Sequence, residues 1–127
     1  MEKETRGSGF RSNCPIASSL DIIGDKWTMV LIRDLAIGAS RYSDFLASPE
    51  GIPTNILAAR LKNMEQQGIV LKEAYQTNPV RYAYRLTEKG NALRPIMRAL
   101  KDWGMEWIPE RDDNPPNLQW VRNGGAV

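Results

Sequence analysis

No histidine occurs anywhere in the 127 residues of this chain. That absence removes both the commonest general base at neutral pH and the commonest metal ligand. Cysteine is almost as scarce. Cys14 stands alone, which excludes an internal disulfide and a zinc site built on paired thiolates. There is no Gly-rich phosphate loop and no nucleophile elbow. These gaps argue against an enzyme and against any bound cofactor or metal. The sequence also lacks an apolar run near the roughly 20 residues needed to cross a bilayer. Its start, MEKETRGSGFRSN, has no apolar segment of the kind a secretory signal carries. The expectation is a cytoplasmic protein with no membrane partner.

What is present suits one ordinary domain. Hydrophobic residues make up 42% of the chain and charged ones 25%. The net charge of +2, from 17 Lys+Arg against 15 Asp+Glu, says little about a nucleic-acid partner. Location says more. Between Ser40 and Leu86, Arg41, Arg60, Lys62, Lys72, Arg81 and Arg85 outnumber Asp44, Glu50, Glu65 and Glu73.

The pattern predicts a polar, flexible arm over residues 1–13, a folded domain over 14–108 and a poorly ordered tail over 109–127, where Leu118 and Trp120 could dock. Pro15 suits the first turn of a helix carrying Ile16, Leu20 and Ile23, ended by Gly24. Asp25 caps a second helix with Trp27, Val30, Leu31 and Leu35 in a buried stripe, stopped at Gly38. A short strand at Arg41 and Tyr42 leads to Ser43 as the cap of a brief helix holding Phe45 and Leu46. After the turn SPEG comes a helix from about Pro53 to Gln67, closed by Gly68. IVLKEAYQ at 69–76 and VRYAYRL at 80–86 alternate and flank the turn TNP, which reads as a β-hairpin. Thr87, Glu88 and Gly90 open a last helix with Leu93, Ile96, Met97, Leu100, Trp103 and Trp107 along one seam.

A short helix, a tight turn and a longer helix followed at once by a hairpin describe a winged helix-turn-helix. In that arrangement the second helix enters the major groove of double-stranded DNA and the wing reaches the flanking backbone or minor groove. On a helical wheel Leu57, Leu61 and Met64 share one side of the 53–67 helix. Asn55, Ala59, Lys62 and Gln66 fall opposite, with Ala58 beside them. The groove is about 12 Å wide, so small outward residues let a backbone approach. Thr54 and Asn55 sit at the leading turn, and Lys62 suits a phosphate. Taken alone, this helix reads better as an ordinary amphipathic helix with a solvated outer face, since polar outer faces are the norm. Arg81 alone reads as an edge charge that discourages strand pairing. Together with the element order they favour DNA. The competing reading is a winged-helix module that binds protein and not DNA.

Several segments then carry a resemblance. CPIASSLDIIGDKW at 14–27, RYSDF at 41–45, GIPTNILAARLKNMEQQGIV at 51–70 and VRYAYRLTEKG at 80–90 resemble HxlR-type bacterial transcriptional regulators, in order and at matching spacing. The resemblance implies a MarR-like architecture: mainly α with a small β-hairpin wing (α+β), a winged helix-turn-helix with N- and C-terminal dimerisation helices. It implies DNA contacts through Thr54, Asn55, Ala58, Ala59, Lys62 and Arg81. The sequence departs from the family pattern at Pro53–Asn55, where many relatives carry Ser, a polar residue and often Lys, so the leading turn has less charge to offer. A homodimer on a palindromic operator follows, with Ile96, Leu100, Trp103 and Trp107 as interface and half-sites about 10 bp or a multiple apart. The residues leave a plain core helix open as the other reading of that seam.

Cys14 precedes a helix N-terminus, where the dipole favours a thiolate, and Arg11 is close in sequence. Some members of the family sense oxidants through a cysteine in this region, so oxidation of Cys14 or a small-molecule effector would modulate binding. A partly buried structural cysteine is the other reading.

Overall fold

The computed structural model describes residues 9–112. In chain order it holds α1 (Pro15–Ile23), α2 (Thr28–Ala36), α3 (Tyr42–Leu46), α4 (Thr54–Gln66), β1 (Val70–Thr77), β2 (Val80–Leu86), α5 (Glu88–Asn91) and α6 (Arg94–Trp107). The two strands form one antiparallel ribbon.

Local chemistry explains most boundaries. Pro15 opens α1, where a missing N–H costs nothing, and Gly24 ends it. Asp25 caps α2: its carboxylate accepts from the Trp27 and Thr28 N–H groups at 2.9 and 3.0 Å and from the Thr28 hydroxyl at 2.5 Å. Gly68, at φ +76°, closes the end of α4 in a conformation L side chains rarely adopt. Thr87 accepts from the Gly90 N–H and lies against the Gly68 and Ile69 carbonyls, so it fastens the start of α5 to the exit of α4. Gly90 is required there, because a Cβ would stand 2.2 Å from the Ile69 carbonyl oxygen.

Three expectations change. The short strand at Arg41 and Tyr42 does not form among the described residues. Arg41 is extended and Ser40 accepts from the Tyr84 N–H at 2.7 Å, but Tyr42 already belongs to α3. The reason is Asp44, whose carboxylate takes the Ser40 and Arg41 N–H groups at 2.9 and 3.0 Å. Those donors would otherwise extend the sheet, and the N-cap of the helix is Arg41 in place of Ser43, with Asp44 reaching back to it from the first turn. The last helix is also broken in two around Ala92 and Leu93. Pro95, in the first turn of α6, has no N–H to continue the ladder from α5. Finally, the seam of α6 divides. Leu93 and Met97 are half-buried and Leu93 packs on the core, whereas Ile96, Leu100, Trp103 and Trp107 lie exposed. Three residues of helix turn about 300°, so the second stripe sits about 60° around from the first.

The core lies where α2, α3, α4 and the hairpin base converge. Leu31, Ile32, Phe45, Leu57, Leu61, Met64, Ile69 and Val70 are fully buried. Phe45 meets Tyr84 edge-on, ring centroids 6.4 Å apart. Each such side chain contributes about 1.5–3 kcal/mol relative to exposure. α2 is the spine, packed on both β2 and α6, while α4 leans on α3 and β1. Beyond its base the hairpin projects outward: from Leu71 to Tyr82 its residues are exposed save a half-buried Gln76. The arm expected over 1–13 is described from Gly9 on. There the Arg11 guanidinium and N–H both engage Asp21. Leu118 and Trp120 lie outside the described residues.

Candidate nucleic-acid interface

The amphipathicity of α4 settles which side it turns outward. Leu57, Leu61 and Met64 recur at spacings of three and four and are buried, so residues on the other side must face solvent. Thr54, Asn55, Ala58, Ala59 and Lys62 are all exposed, as the wheel predicts. Arg60 is the flank of the helix, half-buried with its guanidinium 3.6 Å from the Asp25 carboxylate. α4 thus presents a surface of two alanines with a threonine and an asparagine ahead and a lysine behind.

The leading turn of α4 is chemically open. Pro53 precedes it, no side chain caps its N–H groups, and no acidic residue stands in the first turn. The positive end of the helix dipole and its donors therefore face outward without an internal anion. Such an end suits a phosphate or a base edge.

Behind this face a charged cluster fixes the turn that delivers α4. Arg33 of α2 donates to both oxygens of Glu50, to Ser48 Oγ and to Asp34 Oδ1 at 2.8–3.0 Å. Asp34 is fully buried, with Oδ2 left without a hydrogen-bond partner among the described residues. Burial pushes the Asp34 carboxyl up to about 6, against the pull of Arg33. Glu50 is drawn down to about 2 by its hydrogen bonds from Arg33. Sequence reading missed this cluster because Arg33 and Glu50 look like separate surface charges.

Arg81 lies on β2, two residues past the turn at Asn78 and Pro79, exposed and across from Gln76. The structure therefore assigns the expected residues to two elements, five on α4 and one on the wing. Arg41, expected from the sequence as a strand residue and counted among the basic residues of this segment but not as a site residue, is exposed at the head of α3, its guanidinium 4.1 Å from the centre of the Tyr75 ring.

Cys14 is exposed, immediately ahead of α1, with its N–H donating to Ser12 Oγ at 3.2 Å. Arg11 does not serve the thiol; its guanidinium engages Asp21 and the Ala17 carbonyl. Among the described residues no group of His, Cys, Asp and Glu side chains could hold a metal, and no helix is long and apolar enough to cross a membrane.

Comparison with known proteins adds the rest. Residues 22–112 match the HxlR-like helix-turn-helix family. The HTH-type transcriptional regulator YdeP of Bacillus subtilis (strain 168) is 35% identical over 94 residues, spanning 74% of this chain and 73% of YdeP. The crystal structure of PA1607 is similar with a TM-score of 0.72 at 38% identity, over 80% of this chain and 72% of that one. The redox regulator HypR in its oxidized form is similar with a TM-score of 0.68 at 35% identity, over 78% of this chain and 99% of that one.

Proposed function

This chain belongs to the HxlR-like helix-turn-helix family and is a DNA-binding transcriptional regulator, and from that premise we propose how it grips its operator. α4 enters the major groove. Thr54 and Asn55 reach base edges, Ala58 and Ala59 admit the backbone, and Lys62 and Arg81 neutralise phosphates on either side. The observation that carries this reading is the outward face of α4, headed by a turn with no cap and no acid of its own. An interaction module without DNA binding has no need of such an open end. The protein acts in the cytoplasm and by binding alone; no catalytic step is assigned to it.

The active species is a homodimer. α6 exposes Leu100 (54%), Trp103 (61%) and Trp107 (67%), and α1 exposes Ile16 (72%). Aromatic side chains of that size left in water favour association. Two-fold pairing through α6, supported by α1, presents two copies of α4 to a palindromic site. Regulation follows from a small-molecule effector or from oxidation of Cys14, the sole and exposed thiol. The likeness to HypR, a redox regulator by name, supports the second route.

The test is a titration of fluorescent promoter fragments at several salt concentrations. Lys62→Ala and Arg81→Ala each weaken binding to all sequences and lower the salt slope by about one. Asn55→Ala changes sequence preference more than bulk affinity. Unaltered binding in all three would point to a different surface.

A further inference from the structure

The hairpin reaches out from the core on two strands, yet a phosphate contact by Arg81 demands a fixed angle between wing and α4. Most polar side chains of the outer hairpin stay within it. Arg85 donates to Glu73 at 3.0 Å, Gln76 to the Pro79 carbonyl at 3.0 Å, and the Lys72 ammonium sits 4.3 Å from the centre of the Tyr82 ring. Tyr75 behaves differently. It is the extra residue of a β-bulge: Ala74 pairs with Tyr82 and Gln76 with Arg81, which leaves Tyr75 with no partner across the ribbon. A bulge bends its strand, tightens the twist and re-aims the side chain it carries. Here the side chain meets the body of the protein, with the Arg41 guanidinium 4.1 Å from its ring centre. That distance lies inside the range of cation–π attraction.

Arg41 is a firm anchor. Its N–H donates to the buried Asp44 carboxylate at 3.0 Å. The adjoining Ser40 donates to the same carboxylate and accepts from the Tyr84 N–H. The backbone of Arg41 and of the residue before it is thus tied to the core, and only the Arg41 side chain extends to the wing.

We propose that Tyr75, held by Arg41, is a positioning residue that sets the wing at the angle from which Arg81 reaches DNA. The bulge serves two ends at once, sending Tyr75 toward α3 and setting the register of the next pair, Gln76 with Arg81. This inference rests on the wing contact proposed above, and its test separates the two.

Affinity and salt slope are measured on one operator fragment for the unmodified chain, Tyr75→Phe, Tyr75→Ala, Tyr75→Leu, Arg81→Ala and the Tyr75→Ala/Arg81→Ala double variant. Melting curves verify folding; Tyr75 is 41% exposed, so the core does not depend on it. Tyr75→Phe keeps the ring and binds like the unmodified chain. Tyr75→Ala weakens binding about three- to tenfold and lowers the salt slope by about one, although it removes no charge. Tyr75→Leu, which keeps apolar bulk without a π face, does the same. The double variant binds no worse than about twofold below Tyr75→Ala, because Arg81 has already lost its phosphate. Additive losses, or an unchanged slope in both Tyr75→Ala and Tyr75→Leu while Arg81→Ala is weakened, would overturn the positioning role. A silent Arg81→Ala in the unmodified background overturns the wing contact, and this inference with it.

Discussion

Arg33 in α2 clamps Glu50 in the turn before α4, with Nη1–Oε2 and Nη2–Oε1 both at 2.8 Å. A planar guanidinium matched to a carboxylate in this way fixes direction as well as distance. The same Arg33 also holds the buried Asp34. One cation therefore serves two carboxylates, and the cluster ties the entry of α4 to the spine of the fold.

The pH dependence of stability follows from that sharing. Asp34 has its carboxyl raised to about 6, so the fold binds a proton there that the unfolded chain releases at its ordinary, lower pKa. Stability therefore rises as pH falls from 7 to 5, by on the order of 1 kcal/mol. Glu50 works in the opposite sense. Its carboxyl is lowered to about 2, so the stability it contributes is lost as pH falls through the range from about 4.5 to 2. With no histidine in the chain, little else titrates between pH 5 and 7. Urea unfolding at pH 7 and pH 5 should show the gain, and Asp34→Asn should abolish it. A flat or falling profile from 7 to 5 in the unmodified chain would contradict the assignment.

Much of this fold was legible because helix boundaries rest on local chemistry. Pro15, Gly24, Asp25, Gly68 and Thr87 mark their ends by what their own atoms can or cannot bond. The outward face of α4 was legible for a related reason, since a strict spacing of Leu57, Leu61 and Met64 leaves only one side for Thr54, Asn55, Ala59 and Lys62. What stayed hidden depends on contacts between distant residues. Asp44 overrides a strand at Arg41 and Tyr42 by capturing two N–H groups. The bulge at Tyr75 leaves no mark in an alternating sequence. Pairing of Arg33 with Glu50 spans two elements, so neither residue announces it.

Dimerisation through α6 predicts that Trp103→Glu yields a monomer. Trp103 is 61% exposed in the single chain, so the substitution leaves the helical circular-dichroism signal intact. Light scattering on the eluting protein should give the mass of two chains for the unmodified protein and of one for the variant. A variant that remains paired would place the interface elsewhere.

Oxidation at Cys14 predicts a covalent pair of chains. With one cysteine per chain, two thiols from separate subunits give up their hydrogens to diamide and form one disulfide. A non-reducing gel should show a linked dimer that dithiothreitol reverses and Cys14→Ser prevents, with a parallel change in operator affinity. Absence of the linked species would remove the thiol from the regulatory scheme.

The central claim is that the exposed side of α4 meets DNA. Ala59→Glu tests it most directly, because the substitution places a negative charge on that side without touching the core: Ala59 is exposed and lies opposite Leu57 and Leu61. The account predicts an unchanged melting temperature and a loss of operator affinity of at least about tenfold, from charge repulsion by the phosphates. A folded Ala59→Glu protein that binds the fragment as tightly as the unmodified chain, at every salt concentration, would contradict it.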